Sequence, residues 1–203
     1  MKQPQTASRF LHLLVVCVLA LIGLLAMPPA VAFAQKPETI EAAAMGTGTQ
    51  LGANVEVRLV INEFSSEQDR QILIKAFEQS QNQGLVNALS RMRAVGHLSL
   101  AGTLGYDCSF IRLIRTPTGR SIRFVTNRPI RFGEVWWGTQ SQSFNLSAGE
   151  ININDQDKNK STGLLFPAAM LTIDKQGQLQ LDLNQNAWKL VDILDWAGTP
   201  GVN

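Results

Sequence analysis

The chain has very little cysteine, histidine or tyrosine. Its 203 residues include two cysteines, two histidines and one tyrosine. Cys17 and His12 fall in an N-terminal apolar stretch, which leaves Cys108 and His97 for the rest of the chain. A lone cysteine cannot close an intramolecular disulfide, so packing has to hold the domain together. One histidine excludes multi-histidine metal centres, and no HExxH or CxxC pattern occurs. No GxSxG elbow or P-loop is present either. Nothing in the sequence calls for a cofactor or a metal.

Charge of one sign is equally scarce. The formal net charge is +2, and Lys2 and Arg9 account for it, because no acidic residue precedes Glu38. A charge-balanced remainder excludes a strongly basic nucleic-acid binder and a polyacidic tail.

Long hydrophobic runs are limited to one. Met1–Arg9 carries two positive charges, Phe10–Met27 is almost unbroken Leu, Val, Ala and Ile, and Pro28-Pro29 ends any helix there. Ala32-Phe33-Ala34 places small residues where a signal peptidase reads, so cleavage is expected between Ala34 and Gln35. The run also reaches the lower edge of the roughly 17–25 residues that an uncleaved anchor needs. The prolines and the A-x-A site favour cleavage. The expected location is secreted or periplasmic, with membrane contact only during export through this segment.

Beyond the signal, Gln35–Gln50 has little periodicity and reads as a flexible arm, with a single globular domain expected over residues 51–203. Val55–Phe64 alternates apolar and polar residues as a half-buried strand does. Ser66-x-x-Asp69 opens a helix, because the serine caps a free amide and the acid suits the first turn. Ile72, Leu73, Ala76 and Phe77 form its expected apolar stripe. A break at Gln81–Gly84 precedes a second short helix marked by Leu85, Val86, Leu89 and Met92.

From Val95 onward the chain is nearly all short strands and turns. Thr116-Pro117-Thr118-Gly119 and Asp174-Lys175-Gln176-Gly177 each suit a hairpin turn. The first is expected to set Ile114 opposite Ile122 and Ile111 opposite Val125. The second is expected to set Ile173 opposite Leu179 and Leu171 opposite Leu181. Val135–Leu146, Glu150–Asn154 and Leu164–Ile173 supply further strand material, and the apolar residues of Trp188–Trp196 fit a strand or a short helix. The fold class expected is α+β and β-rich. An N-terminal strand and helical pair lead into an antiparallel meander, curved or closed into a partial barrel.

Few residues offer chemistry. Arg112, Arg115, Arg120, Arg123, Arg128 and Arg131 lie between Asp107 and Glu134 with no acid among them, which suits an anion site. The expected hairpin register puts Arg112 and Arg120 on one face and Arg115 and Arg123 on the other, so only strong twist joins Arg115 and Arg120 at the turn. Trp136 and Trp137 are neighbours and on a strand point to opposite faces, so one of them is free to stack on a sugar ring or an apolar ligand. Arg115, Arg120, Trp136 and Trp137 are therefore the candidate binding residues.

Other features have plainer readings. Cys108 is expected to be buried and His97 to face solvent. Asp155-x-Asp157-x-Asn159 begins like a calcium loop, but Lys160 and Phe166 replace the glycine and glutamate such a loop requires. Gly102–Asp107 reads as a tight turn between strands.

The stretch Phe64–Phe132 resembles a family of secreted bacterial proteins to which no activity is assigned. The residues that carry the resemblance are Asp69-Arg70-Gln71, Gly84-Leu85-Val86-x-Ala88-Leu89, Gly102-Thr103-Leu104-Gly105-Tyr106-Asp107 and Phe124-Val125-Thr126-Asn127-Arg128-Pro129-Ile130. The resemblance implies export and a bacterial source, and transfers no ligand or catalytic residue.

Three functions are compatible with these observations. A non-enzymatic exported domain that binds a small ligand or an envelope partner accounts best for the missing catalytic sets. A carboxylate-based hydrolase would use Asp107, or Asp192 and Asp195, with an arginine on an anionic or polysaccharide substrate. A structural envelope protein would use the arm for reach.

Overall fold

The computed structural model describes residues 37–47, 54–130, 146–169, 171–175, 179–181 and 187–196. All of them belong to one unit, Gln35–Asn203. The signal segment, its cleavage site at Ala34 and Gln35, and Trp136 and Trp137 lie outside the described residues.

The molecule is β-rich, and its eight longest-paired strands close into an antiparallel barrel. In chain order these are β1 (Glu38–Met45), β2 (Asn54–Ile61), β3 (Gly96–Leu100), β4 (Tyr106–Thr116), β5 (Gly119–Thr126), β6 (Ala148–Asn154), β7 (Thr162–Phe166) and, after a separate β8–β9 hairpin (Leu171–Ile173 and Leu179–Leu181), β10 (Trp188–Asp195). Each strand pairs with its neighbour in the meander, and β1 closes the ring between β2 and β10. Closure gives every barrel strand a partner on both sides, so no whole strand is left as a sheet edge. The barrel is complete rather than partial.

Strand β1 lies within the segment expected to be an arm. Ile40, Ala42 and Ala44 point inward and are buried. Alanine has little strand preference of its own, and what orders this segment is pairing on both sides, to β2 and to β10. Two of its inward positions need small side chains, and alanine supplies them.

Side chains fill the barrel in layers that follow the register. Ile111, Phe124, Gly149, Leu165 and Trp188 are successive cross-strand partners around one layer. Leu113, Ile122, Ile151, Gly163, Leu190 and Ala44 form the next. These residues, with Ile40, Val57, Leu59 and Leu98, make one contiguous core. Period-2 alternation puts Glu41, Arg58, His97, Arg112, Glu150 and Lys189 on the outer wall. A polar exterior around an apolar interior is the reverse of a lipid-facing barrel. No helix among the described residues is long and apolar enough to cross a membrane.

One helical element, α1 (Glu67–Leu89), connects β2 to β3. Its start follows the sequence closely: Ser66 Oγ accepts from the Asp69 amide at 3.2 Å, and Asp69 Oδ2 accepts from the Ser66 amide at 2.8 Å. The helix is interrupted at Ser80 and Gln81, whose backbone is not helical, so the break overlaps the expected interval at its first residue, Gln81. Gly84 brings the two halves together, since a Cβ there would lie 1.9 Å from the Ala76 carbonyl oxygen. The buried stripe is Leu73, Ile74, Leu85 and Leu89, whereas Ile72 is 51% exposed.

The stripe of α1 packs against the outside of the barrel, where Phe110, Val125, Ala148 and Phe166 form a second core. The helix therefore covers the outer wall of β4–β7.

Register at the β4–β5 hairpin differs by one residue from the expected pairing. Thr116 faces Gly119, Leu113 faces Ile122 and Ile111 faces Phe124. A bulge between Cys108 and Phe110 adds one residue to β4, so Phe110 turns outward while Cys108 and Ile111 stay inside. A one-residue slip reassigns faces relative to the partner strand, and here it regroups the arginines. The β8–β9 hairpin pairs as expected, with Leu171 opposite Leu181 and Ile173 opposite Leu179. Trp188–Asp195 resolves to a strand.

Candidate functional site: a groove between the helix and the outer barrel wall

With the observed register, Arg112 faces Arg123, and Arg115 faces Arg120. The first pair lies on the outer wall and the second on the inner side, at the barrel mouth. The four arginines therefore form two pairs with different surroundings.

At the mouth, Arg115 is exposed, while Arg120 reaches across to β1 and β10. Its Nη1 donates to Glu38 Oε2 at 3.1 Å and its Nη2 donates to Asp195 Oδ2 at 2.5 Å. Glu38 Oε1 lies 2.7 Å from Nη2, a charge contact without hydrogen-bond alignment. Burial raises the Glu38 carboxyl above its usual range, against the pull of the Arg120 charge, and nearby Asp195 raises it further. Burial alone would weaken the Arg120 charge, yet the attraction of Glu38 and Asp195 outweighs it and holds the guanidinium firmly protonated. Arg120 is therefore committed to two carboxylates, and ties three strands together at one end of the barrel.

The outer pair lies in a different setting. Cross-strand partners Arg112, Arg123, Glu150 and Leu164 form a band around β4–β7. The adjacent band is Phe110, Val125, Ala148 and Phe166. The wall is thus amphipathic, with an apolar band beside a charged one. Helix α1 lies over it and leaves a cavity of about 320 Å³, near the lower end of the roughly 300–1,000 Å³ usual for small-molecule sites.

Leu73, Leu85 and Leu89 line the cavity from the helix, and Phe110, Val125, Ala148 and Phe166 line it from the wall. Its polar end holds Arg70, Arg112, Arg123 and Glu150. Arg123 Nε donates to Glu150 Oε2 at 2.6 Å, and Arg70 Nη1 donates to Glu67 Oε1 at 2.5 Å. Hydrogen bonds from Gln71 and Arg70 hold the exposed Glu67 below the usual carboxylate range, with a weaker contribution from the Arg112 charge. Arg112 has no hydrogen-bond or ion-pair partner among the described residues.

The remaining titratable groups do not converge. His97 Nδ1 lies 3.1 Å from Asp107 Oδ1 on the outer wall. Cys108 is buried in the barrel core whereas His97 lies on the outer wall, so Cys108 and His97 do not form a nucleophilic pair. Burial, reinforced by the Asp107 charge, pushes the Cys108 thiol up to about 12. A thiolate is the reactive form. The native protein should therefore resist maleimide labelling at neutral pH and react fully in denaturant, and rapid native labelling would show that β4 opens.

The three candidate acids are also apart. Asp107 pairs with His97, Asp195 is engaged by Arg120, and Asp192 sits in a shallow outer depression beside the β1–β10 bulge. In the polar loop, Asp157 accepts from the Asn159 amide and lies 3.4 Å from Lys160 Nζ. Gly102 and Gly105, both at positive φ, form the β3–β4 turn.

Sequence reasoning singled out Arg115 and Arg120 and missed the cavity. Arg112 and Arg123 were among the six arginines, but the cavity's apolar half comes from side chains on α1 and four strands. Counted from the inward Cys108, period-2 alternation would turn Phe110 inward, and the bulge between them is what places it outside. Compared with protein-family models, curated proteins and solved structures, the chain matches none. The site and fold together define a closed up-and-down barrel with a ligand-sized groove on its exterior.

Proposed function

We propose that this is an exported, non-enzymatic binding domain that takes a small, largely apolar ligand between α1 and the outer wall of β4–β7. The observation that carries the reading is the groove itself. The inward side chains of the described residues form one contiguous core, whereas the helix–wall interface keeps about 320 Å³ of space behind an arginine-lined end. Export rests on the basic start, the apolar run and the A-x-A site before Gln35. The hydrolase alternative has less support, because Asp107, Asp192 and Asp195 share no cleft.

Titration with N-phenyl-1-naphthylamine, a neutral apolar fluorophore, tests the reading. The wild-type protein should bind it saturably with one site. Ala148→Leu adds carbon atoms at the wall of the space and should weaken binding roughly tenfold, at a stability cost of no more than about 1–3 kcal/mol that leaves the domain folded. Failure to bind, or unchanged affinity in a folded Ala148→Leu variant, would remove the groove as the site.

A further inference from the structure

Resting on that groove reading, we infer that the ligand is a single-chain amphiphile with a monoanionic head, of the medium-chain carboxylate class, and that Arg112 receives the head. The charges at the polar end decide the sign. Arg123 pairs with Glu150 and Arg70 with Glu67, so three arginines face two glutamates among the described residues at that end, and Arg112 is the arginine without a hydrogen-bond or ion-pair partner. A guanidinium presents a planar fork of donors suited to a carboxylate, and such pairs are typically bidentate.

The same arithmetic sets the number of charges. Among the described residues, one positive charge in excess at this end matches one anionic charge. A dianionic phosphate would bring a second negative charge close to Glu150 and Glu67, with no further cation among the described residues at that end to meet it. The apolar part follows from the bands on the wall. A head held at Arg112 directs a chain away from the charged band, over Phe110, Val125 and Ala148 and beneath Leu73, Leu85 and Leu89.

Volume limits its length. A cavity of about 320 Å³ is near the lower end of the roughly 300–1,000 Å³ usual for small-molecule sites, so a medium-length chain suits it better than one of palmitate length.

Calorimetric titration with decanoate, 1-decanol, decyl phosphate and palmitate, on the wild type and on Arg112→Gln, tests this. Decanoate should bind at least tenfold more tightly than 1-decanol and decyl phosphate, and palmitate should gain nothing over decanoate. Arg112→Gln should weaken decanoate roughly tenfold or more while changing 1-decanol by less than twofold, and should flatten the salt dependence of decanoate binding. If decanol equals decanoate, if decyl phosphate is preferred, or if Arg112→Gln leaves decanoate unchanged, the monoanion assignment fails while the groove stands. If no amphiphile binds and the neutral fluorophore also fails, both readings fall.

Discussion

Replacing Arg120 with methionine is expected to destabilise the domain by about 3 kcal/mol, the lower end of the roughly 3–5 kcal/mol for removing one partner of a buried ion pair. The lower end applies because the cluster sits at the barrel mouth, where water reaches part of Asp195. The cost comes from what remains: Glu38 is buried, and without the guanidinium its charge has no compensation. Arg115→Met, a few ångströms along the same hairpin but exposed, should stay within about 0.5 kcal/mol. Urea unfolding of the two variants separates them.

The deficit should also depend on pH, with a definite sign. Burial already raises the Glu38 carboxyl above its ordinary range, and loss of Arg120 removes the main force acting downward. The folded variant then binds the Glu38 proton more tightly than the unfolded chain, so it gains stability as pH falls. The gain is complete below the unfolded value and is lost as pH rises through the folded one. A pH-independent deficit would mean that Arg120 acts through packing alone.

A second large effect is expected inside the barrel. Gly149 faces Phe124, and a Cβ on Gly149 would lie 2.3 Å from the Phe124 Cζ atom. The ring fills the space that a side chain on β6 would otherwise take. Phe124→Ala should cost about 3–5 kcal/mol through the lost ring and the cavity left behind. Gly149→Ala should cost about 1–3 kcal/mol by overpacking. The two should not add. With the ring gone, alanine at 149 meets little resistance, so the double variant should be more stable than the sum implies. Additivity within about 0.5 kcal/mol would show that ring and glycine are independent.

How far the sequence reveals this structure depends on how local each determinant is. The α1 start was readable because Ser66 and Asp69 are three residues apart and satisfy each other. The β8–β9 register was readable because polar and apolar residues alternate cleanly on both arms of the turn. Strand β1 was not, because Ala42 and Ala44 carry little local signal and depend on partners far along the chain.

The arginine hairpin shows a subtler failure. Its turn was found, but both strands are apolar on parts of both faces, so periodicity did not select between registers that differ by one residue. A β4 wall covered by α1 on the outside and by the core on the inside has no solvent-exposed face over Ser109–Ile111. The groove is less local still, since it exists only once β4–β7 align their outward residues into bands and the broken helix lies across them.

The central claim is that ligand binds outside the barrel, between α1 and the wall. Amide chemical-shift mapping during a decanoate titration tests it most directly. The account predicts perturbations concentrated at Leu73, Leu85, Phe110, Arg112, Val125, Ala148 and Phe166, with Arg115, Arg120 and Asp195 unchanged. Perturbations centred on the barrel mouth, or on the inward layer of Ile122, Ile151 and Leu190, would contradict it.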